Sequence, residues 1–420
     1  MRVELAYGEG TLPVELPDGL TTVITPAHRA GLPDERAAVL EALRAPIGAP
    51  ALRSQIRPSD RLCIIFTDIT RATPNHRLIP WLLEALEGHP RENIVLLNST
   101  GTHRPNTPEE LDRMLTPAVA RGYRVVNHVA EDKAACVAVG ATRDGTPALV
   151  NRLAVEADLR ILTGFIEPHF FAGFSGGPKA IMPGVAWLGT VMSNHGARQI
   201  GDPNATWGVT AGNPIWEEMR DIALRCGRHF LLNVALNERR EITGVFAGDL
   251  LAAHQAGIEF VRASAMQRVP HLFDVVVTTN SGYPLDLNLY QGVKGMSAAA
   301  RIVKPGGLII LAAECREGVP AGSPMDQLMR RVDGPEGILA LLAQPGFSHA
   351  EQWQPHIQAL IQRRAEVRVH SALPEETLRA MHLRGCPDIA AAVAERVRQI
   401  GPGARVAVLP QGPLTIPCAG

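Results

Sequence analysis

The sequence predicts an α/β protein with mostly parallel β-sheets. Short apolar segments alternate with longer segments of helical periodicity, which is the order expected of βαβ units. Several of the apolar segments run directly into polar loops. The 420 residues are enough for two or three domains, and 46% hydrophobic residues indicate a folded chain and not a disordered one.

The N-terminal half repeats the order strand, polar loop, helix. Residues 1–30 alternate in polarity and carry turn glycines, which favours two short strands in a hairpin. Thr107 is a suitable N-cap, because Glu109 and Glu110 then lie in the first helical turn. We expect strands over 61–66, 93–98 and 159–163, and helices over 33–54, 75–88 and 108–116.

A second α/β unit begins near residue 271. Pro270 marks a boundary between an N-terminal domain, 1–268, and a C-terminal domain, 271–400. The pattern leaves open whether the last segment, 402–420, returns to the first domain. We expect strands over 273–279, 307–313 and 405–409, and helices over 290–303, 325–332, 336–343, 351–364, 374–381 and 388–400.

Charge and cysteine spacing exclude several classes of function. The chain has 41 basic and 42 acidic residues, so it lacks the basic excess typical of nucleic-acid binders. Its six cysteines form no CxxC pair, which argues against a cysteine-rich metal site. The N-terminus has no apolar signal segment, and no stretch is long enough to span a membrane. We therefore expect a cytoplasmic enzyme with reduced thiols.

Polar loops after three predicted strands carry candidate catalytic residues. Asp68 and Arg71 follow the first of these strands, His103 follows the second, and His169 follows the third. Ligands of open parallel sheets bind at the carboxyl ends of the strands, where these loops lie. Arg71 is suited to hold a substrate carboxylate, and a histidine is suited to acid–base catalysis. A loop ion pair and a histidine bonded to backbone are the structural alternatives.

The segment 164–195 is the densest in candidate residues. It holds His169, His195 and Lys179, the last just after the turn Ser175-Gly176-Gly177. Backbone amides in such a turn can bind phosphate, and the lysine can contact phosphate or act as a nucleophile. The segment matches neither the Walker A spacing nor GxGxxG. The alternative is a tight turn followed by an exposed lysine.

The start of a predicted helix offers a second anion site. Tyr290, Gln291 and Lys294 lie there, with Tyr290 and Lys294 on one face. An ordinary amphipathic helix is the alternative. We expect other histidines to face solvent or to serve packing, namely His76, His89, His229, His254, His349, His370 and His382.

Taken together, these residues resemble the nickel-dependent lactate racemase family. The resemblance extends from the loop near residue 68 to Trp353. Each motif alone is weak, but their order and spacing together are specific. The motifs are DxTR (Asp68, Thr70, Arg71), TGxHR (Thr100 to Arg104), PHxxAGxSGGxK (Pro168 to Lys179), His195 sixteen positions after Lys179, and YQxxK (Tyr290, Gln291, Lys294).

The resemblance implies a cofactor and a role for each residue. The cofactor is a nickel pincer nucleotide, covalently attached at Lys179, with His195 as the protein ligand to nickel. His103 and His169 are the two acid–base residues. The resemblance also implies two α/β domains with the active site in the cleft between them. Arg71, Gln291 and Lys294 bind the substrate carboxylate, and Asp68, Thr70, Tyr290 and Trp353 support the site.

Such an enzyme inverts C2 of a 2-hydroxy acid by reversible hydride transfer through a planar 2-keto acid. Lactate, malate, an aromatic hydroxy acid and a sugar acid all carry the required group. The implied partners are this small substrate and the proteins that synthesise the cofactor, with no nucleic acid or membrane, and the sequence sets no oligomeric state. A zinc hydrolase using His103, His169 and His195, and a carboxylate-binding protein without catalysis, are the alternatives. A nicotinamide dehydrogenase is disfavoured by the missing GxGxxG.

Overall fold

The computed structural model describes residues 1–319 and 321–419. Contacts within the chain divide it into two compact units. The N-terminal unit comprises His28–His195 and Asn204–Ala263, and the C-terminal unit comprises Met1–Ala27, Gly196–Pro203 and Ser264–Gly420.

The strands and helices follow each other in mixed order. The strands are β1 (Arg2–Tyr7), β2 (Gly10–Glu15), β3 (Thr21–Val23), β4 (Leu62–Thr67), β5 (Ile94–Ser99), β6 (Arg124–Asn127), β7 (Cys136–Ala141), β8 (Pro147–Asn151), β9 (Leu159–Phe165), β10 (Pro168–His169), β11 (Gly173–Phe174), β12 (His229–Leu236), β13 (Ile242–Gly248), β14 (Met266–Val269), β15 (Phe273–Thr279), β16 (Val303–Ala312), β17 (Glu366–His370), β18 (Arg384–Gly385), β19 (Val406–Leu409) and β20 (Ile416–Ala419). The helices are α1 (Glu35–Arg44), α2 (Asn75–Ala85), α3 (Pro108–Leu115), α4 (Pro117–Gly122), α5 (Arg152–Val155), α6 (Leu188–Asn194), α7 (Ala197–Ile200), α8 (Pro214–Leu224), α9 (Leu250–Ala265), α10 (Leu289–Ala300), α11 (Pro324–Met329), α12 (Gly334–Leu342), α13 (Trp353–Arg364), α14 (Glu375–Ala380) and α15 (Ile389–Ile400).

The N-terminal unit is built on a six-stranded sheet with the order β13-β12-β9-β4-β5-β6. All neighbours are parallel except β12 and β13. The apolar residues of β4 are buried on both faces, as a central parallel strand requires. The chain winds from β4 to β5 and β6 on one side and to β9 and β12 on the other. The switch point of the topology therefore lies between β4 and β9, where ligands of such sheets bind.

The C-terminal unit has a second six-stranded sheet with the order β18-β17-β16-β15-β19-β3. All of its neighbouring strands are parallel. Its core includes Leu5 of β1, Val277 of β15, Ile310 of β16 and Val393 of α15. The N-terminal hairpin β1–β2 thus packs with this sheet.

The predicted class, α/β with mostly parallel sheets, is confirmed, and most predicted elements are present. Several predicted helices are too long, including those expected over 75–88 and 325–332, which end at Ala85 and Met329. The helix expected over 33–54 ends at Arg44, because Pro46 removes a backbone donor and clashes with the preceding turn. The helix expected over 290–303 ends at Ala300, because Val303 already pairs with Phe273 in the sheet.

The last strands belong to the C-terminal unit and not to the N-terminal one. β19 lies between β15 and β3, and β20 pairs with β14. The contacts group residues 1–27 with the C-terminal unit, whereas the sequence placed them in a domain 1–268. The physical reason is that β3 finds its partner in β19, at the far end of the chain.

Two expectations from composition can be compared with the fold. The six cysteines are free thiols. In the ranges 1–319 and 321–419, no helix combines the length and apolar character that crossing a bilayer requires.

Candidate active site

Three neighbouring strands of the N-terminal unit end at the predicted catalytic loops. β4 lies between β5 and β9, so the loops that follow these strands share one edge of the sheet. The amide of Gly101 donates to the carbonyl oxygen of Gly184 at 3.0 Å, which joins the loop of His103 to the segment after Lys179. The loops that carry the candidate residues therefore lie together at the carboxyl edge of this sheet, as predicted from sequence.

Asp68 lies at the centre of the first group of site residues. Its carboxylate is buried, with 2% of the residue exposed. Oδ2 is 2.9 Å from Nδ1 of His103, and the Thr70 hydroxyl donates to the same carboxylate at 3.0 Å. The Nε of Arg71 is 3.8 Å from Oδ1. The structure thus gathers the DxTR motif and His103 around one buried carboxylate.

This arrangement determines which nitrogen of His103 carries the proton. Burial acts to raise the pKa of Asp68, but the hydrogen bond and charge of His103 and the charge of Arg71 outweigh it. The pKa of Asp68 therefore lies below its ordinary value, and the carboxylate only accepts hydrogen bonds. His103 must donate from Nδ1, which leaves the lone pair of a neutral ring on Nε2.

The ring of Phe171 brings together the second group. His169 contacts it edge-on with ring centroids 4.5 Å apart, and His195 does so at 4.9 Å. The Nζ of Lys179 is 5.7 Å from the centre of the same ring. Three predicted residues from separate parts of the segment 164–195 thus converge on one aromatic side chain.

His195 is held as a neutral imidazole. It follows α6 as its C-cap residue and is only 3% exposed. Burial, with a smaller contribution from the charge of Lys179, lowers the pKa of His195 to about 3. Because a metal ligand must be unprotonated and imidazole suits nickel, His195 fits the predicted role.

His169 has the opposite arrangement to His103. The backbone amide of Ala172 donates to its Nδ1 at 3.3 Å, so this nitrogen accepts. The proton of a neutral His169 ring is therefore on Nε2. The Nδ1 atoms of the two predicted acid–base residues therefore differ in this structure, because that of His103 donates and that of His169 accepts.

The turn at 175–177 does not offer the amides that we expected to bind phosphate. The Ser175 amide donates to Glu167, and the Gly177 amide donates to Oδ1 of Asn233 at 2.8 Å. The Ser175 hydroxyl donates to the Phe165 carbonyl at 3.0 Å. Two of the three backbone amides of the turn therefore already donate hydrogen bonds within the protein.

Two residues around this turn were missed by sequence reasoning. Asn233 lies on β12, and His254, on α9, is 1% exposed where a solvent-facing or packing side chain was expected. His254 is packed, but its Nε2 also lies 2.9 Å from the Ser175 carbonyl oxygen, 79 positions away in sequence. No local pattern relates residues so far apart, so no sequence signal could have identified them.

The C-terminal unit holds the other predicted residues at the start of α10. Asn288 caps this helix by accepting from the Gln291 amide at 3.2 Å. The indole of Trp353 donates to the Tyr290 hydroxyl at 2.9 Å, which leaves the Tyr290 proton to donate elsewhere. The helix start carries partial positive charge, and Lys294 lies on its second turn. This group is suited to bind a carboxylate.

The zinc alternative finds no support in the side-chain geometry. Within residues 1–319 and 321–419, no three histidine, cysteine, aspartate or glutamate side chains are grouped to hold a metal ion. His103, His169 and His195 therefore do not form a three-histidine zinc site.

Comparisons with known proteins match the same family over nearly the whole chain. Residues 7–208 match the model of the lactate racemase N-terminal domain, and residues 269–416 match that of the C-terminal domain. The chain is 36% identical to the lactate racemase of Lactiplantibacillus plantarum over 383 residues, which cover 90% of each protein. It is 32% identical to the lactate racemase of Thermoanaerobacterium thermosaccharolyticum over 418 residues, 98% of this chain and 97% of that protein.

Solved structures agree. The apoprotein of the Thermoanaerobacterium thermosaccharolyticum lactate racemase superimposes with a TM-score of 0.93, covering 99% of this chain and 100% of that one. A Thermotoga maritima protein that is 20% identical superimposes with a TM-score of 0.71, covering 94% of this chain and 100% of that one, and shares the fold. The chain is an isomerase that belongs to the lactate racemase family.

Proposed function

We propose that this chain is a lactate racemase that inverts C2 through a 2-keto acid, using a nickel pincer nucleotide attached to Lys179. The observation that carries the proposal is the convergence of His169, Lys179 and His195 on the ring of Phe171. An amine for attachment, a neutral imidazole for nickel and an acid–base residue are thereby available in one place. The choice of lactate as substrate rests on the two related lactate racemases.

The two histidines supply the proton transfers of this reaction. Removal of hydride from C2 requires a base for the hydroxyl proton, and its return requires an acid for the carbonyl oxygen. Inversion places these two steps on opposite sides of the planar keto acid. In this direction neutral His103, with a lone pair on Nε2, takes the hydroxyl proton, and His169, protonated as imidazolium, gives a proton to the carbonyl oxygen and becomes neutral. The reverse reaction starts with the proton on His103.

Cationic and polar groups hold the substrate during inversion. Arg71 presents a guanidinium beside a carboxylate that is already shared with His103 and Thr70. Gln291 and Lys294 of α10 bind the substrate carboxylate, with Tyr290 and Trp353 supporting them. Retention of the keto acid keeps its carbonyl oriented until the second step.

The cofactor itself supplies the hydride acceptor and donor when it is bound. His195 would ligate the nickel, and Lys179 would carry the covalent link to the nucleotide, so both residues would bind the cofactor. Proteins that synthesise the cofactor are the required partners.

Intact-protein mass spectrometry with metal analysis tests the proposal. The chain is produced together with the cofactor-synthesis proteins, and we expect a covalent adduct on Lys179 with equimolar nickel. Lys179→Ala should carry no adduct, whereas the control Lys133→Ala should carry it. His195→Ala should lose nickel. An adduct on Lys179→Ala, or an unmodified wild-type chain beside a loaded control racemase, would contradict the proposal.

Chiral assay of the loaded enzyme tests the two-histidine scheme. His103→Ala and His169→Ala should each slow racemisation of lactate by about 10²–10⁴-fold, and in both directions. His28→Ala, which alters an exposed histidine, is the control. Full activity of either site variant would show that one histidine suffices. The same assay on malate, an aromatic hydroxy acid and a sugar acid tests the choice of substrate.

A further inference from the structure

The turn before Lys179 has a backbone form that few residues other than glycine adopt. Gly176 and Gly177 have φ angles of 75° and 54°, in the left-handed region. The amide of Lys179 donates to the Gly176 carbonyl oxygen at 3.1 Å, so the lysine is tied to this turn. The direction of the Lys179 side chain therefore depends on how the turn is held.

Asn233 of β12 fixes one side of the turn. Its Oδ1 accepts a hydrogen bond of 2.8 Å from the Gly177 amide. A Cβ atom on Gly176 would lie 2.4 Å from the same oxygen, so a side chain there would displace it. Asn233 is 1% exposed, and its position on a central strand limits its movement.

His254 of α9 fixes the other side. A carbonyl oxygen only accepts, so the 2.9 Å contact to Ser175 requires that Nε2 of His254 donate. A Cβ atom on Gly177 would lie 2.5 Å from Nδ1 of His254, so the ring lies directly against the turn. Trp216 of α8 stacks on the ring with planes 11° apart. Burial lowers the pKa of His254 to about 4, which keeps the ring neutral.

We propose that Asn233 and His254 are positioning residues that hold the 175–177 turn so that the amine of Lys179 is presented for cofactor attachment. The inference rests on the proposed role of Lys179 as the attachment point. It also gives a physical reason for the two glycines of the SGGxK motif, because the side chains of Asn233 and His254 occupy the space in which their Cβ atoms would lie.

The first experiment measures cofactor loading in variants that separate ring packing from hydrogen bonding. His254→Phe keeps a ring against Gly177 but removes the donor, and His254→Gln restores an N–H near the position of Nε2. Asn233→Leu removes the acceptor for the Gly177 amide. By intact mass, we expect loading of the Phe and Leu variants to be slower than wild type by about 10–100-fold, and the Gln variant to recover much of the rate.

The second experiment measures lysine reactivity without the cofactor. The chain has four lysines, Lys133, Lys179, Lys294 and Lys304, so peptide mapping resolves each one. With an acylating N-hydroxysuccinimide ester, we expect acylation of Lys179 in the Phe and Leu variants to be severalfold slower relative to exposed Lys133, because the released turn no longer presents the amine. Acylation of Lys133 and the unfolding temperature report whether the fold is intact.

The two experiments separate the inference from the proposed function. Wild-type loading and acylation in the Phe and Leu variants would overturn the inference, as would a Gln variant that behaves like the Phe variant in both measurements. A wild-type chain that takes no adduct would instead contradict attachment at Lys179. The acylation ratio would still decide whether Asn233 and His254 hold the turn.

Discussion

At the scale of single residues, a buried carboxylate organises one half of the candidate chemistry. Asp68 is surrounded by His103, Thr70 and Arg71, all of which favour its charged form. Exposed ion pairs contribute little to stability, but Asp68 is only 2% exposed and is hydrogen-bonded to a proposed acid–base residue. Its main role in the proposed reaction is to hold His103 in the form that has its lone pair on Nε2.

Asp68→Asn tests this role. The amide can donate as well as accept, so the tautomer of His103 is no longer determined by a carboxylate. We expect turnover of the loaded enzyme to fall by about 10²–10⁴-fold, while loading of Lys179 continues. Racemisation rate and intact mass measured on the same preparation check this. A variant with wild-type turnover would show that the carboxylate does not orient the base.

The same substitution tests the low pKa of Asp68 through stability. A carboxyl whose folded pKa is depressed stabilises the protein above its unfolded pKa of about 3.9 and loses that effect as pH falls through the folded value. We expect the excess stability of wild type over Asp68→Asn to be present at about pH 5 and to shrink below about pH 4. Urea unfolding of the apoprotein across this range measures it. A difference that grows as pH falls below about 4 would contradict the assignment.

At the scale of elements, helix α3 anchors the loop that carries His103. Thr107 and Glu110 form a reciprocal cap at its start. Glu110 also accepts two hydrogen bonds from Arg104, the residue after His103, at 2.8 and 2.6 Å. The Arg104 hydrogen bond, with the Thr107 amide and Asn106, overcomes partial burial and lowers the pKa of Glu110 to about 2. The cap and the loop therefore share one carboxylate.

Thr107→Ala should remove half of this cap. We expect a loss of about 1 kcal/mol in the free energy of unfolding, because the Glu110 amide loses its side-chain acceptor. Thr107→Ser keeps the hydroxyl and is the matched control. Urea titration of the three proteins measures the difference. Equal midpoints for the alanine and serine variants would show that the cap contributes nothing.

Prediction from sequence worked well for elements with strong local patterns. The strand expected over 273–279 is β15 itself, and α3 begins after Thr107 as expected. Errors lie at helix ends, where Pro46 and the pairing of Val303 override helical periodicity. Local patterns describe the middle of an element, but its end depends on neighbours in space.

At the scale of the whole molecule, burial protects the thiols. Five of the six cysteines are buried, and Cys418 is half-buried at the end of β20. Burial raises the pKa of Cys63, Cys226 and Cys315 to about 12, and that of Cys136 and Cys386 to about 11. Thiols react as thiolates, so these five should be inert in the folded protein.

Alkylation tests this distribution over the entire fold. With iodoacetamide at pH 8, we expect the folded protein to be modified at Cys418 alone and the urea-unfolded protein at all six positions. Peptide mapping by mass spectrometry identifies the sites. Rapid modification of Cys63 or Cys226 in the folded protein would show that the N-terminal unit opens more readily than its packing indicates.

The sequence by itself determined the class of fold, most of the elements, the family and the residues proposed for the active site. Periodicity and motif spacing are local properties, so they can be recognised in one sequence without knowledge of the contacts in the fold. Only the tertiary structure decided that β19 lies between β15 and β3, that Asp68 holds His103, and that Asn233 and His254 hold the turn of Lys179. The reason is physical, because these contacts join residues far apart in sequence, and packing alone selects which distant side chains meet.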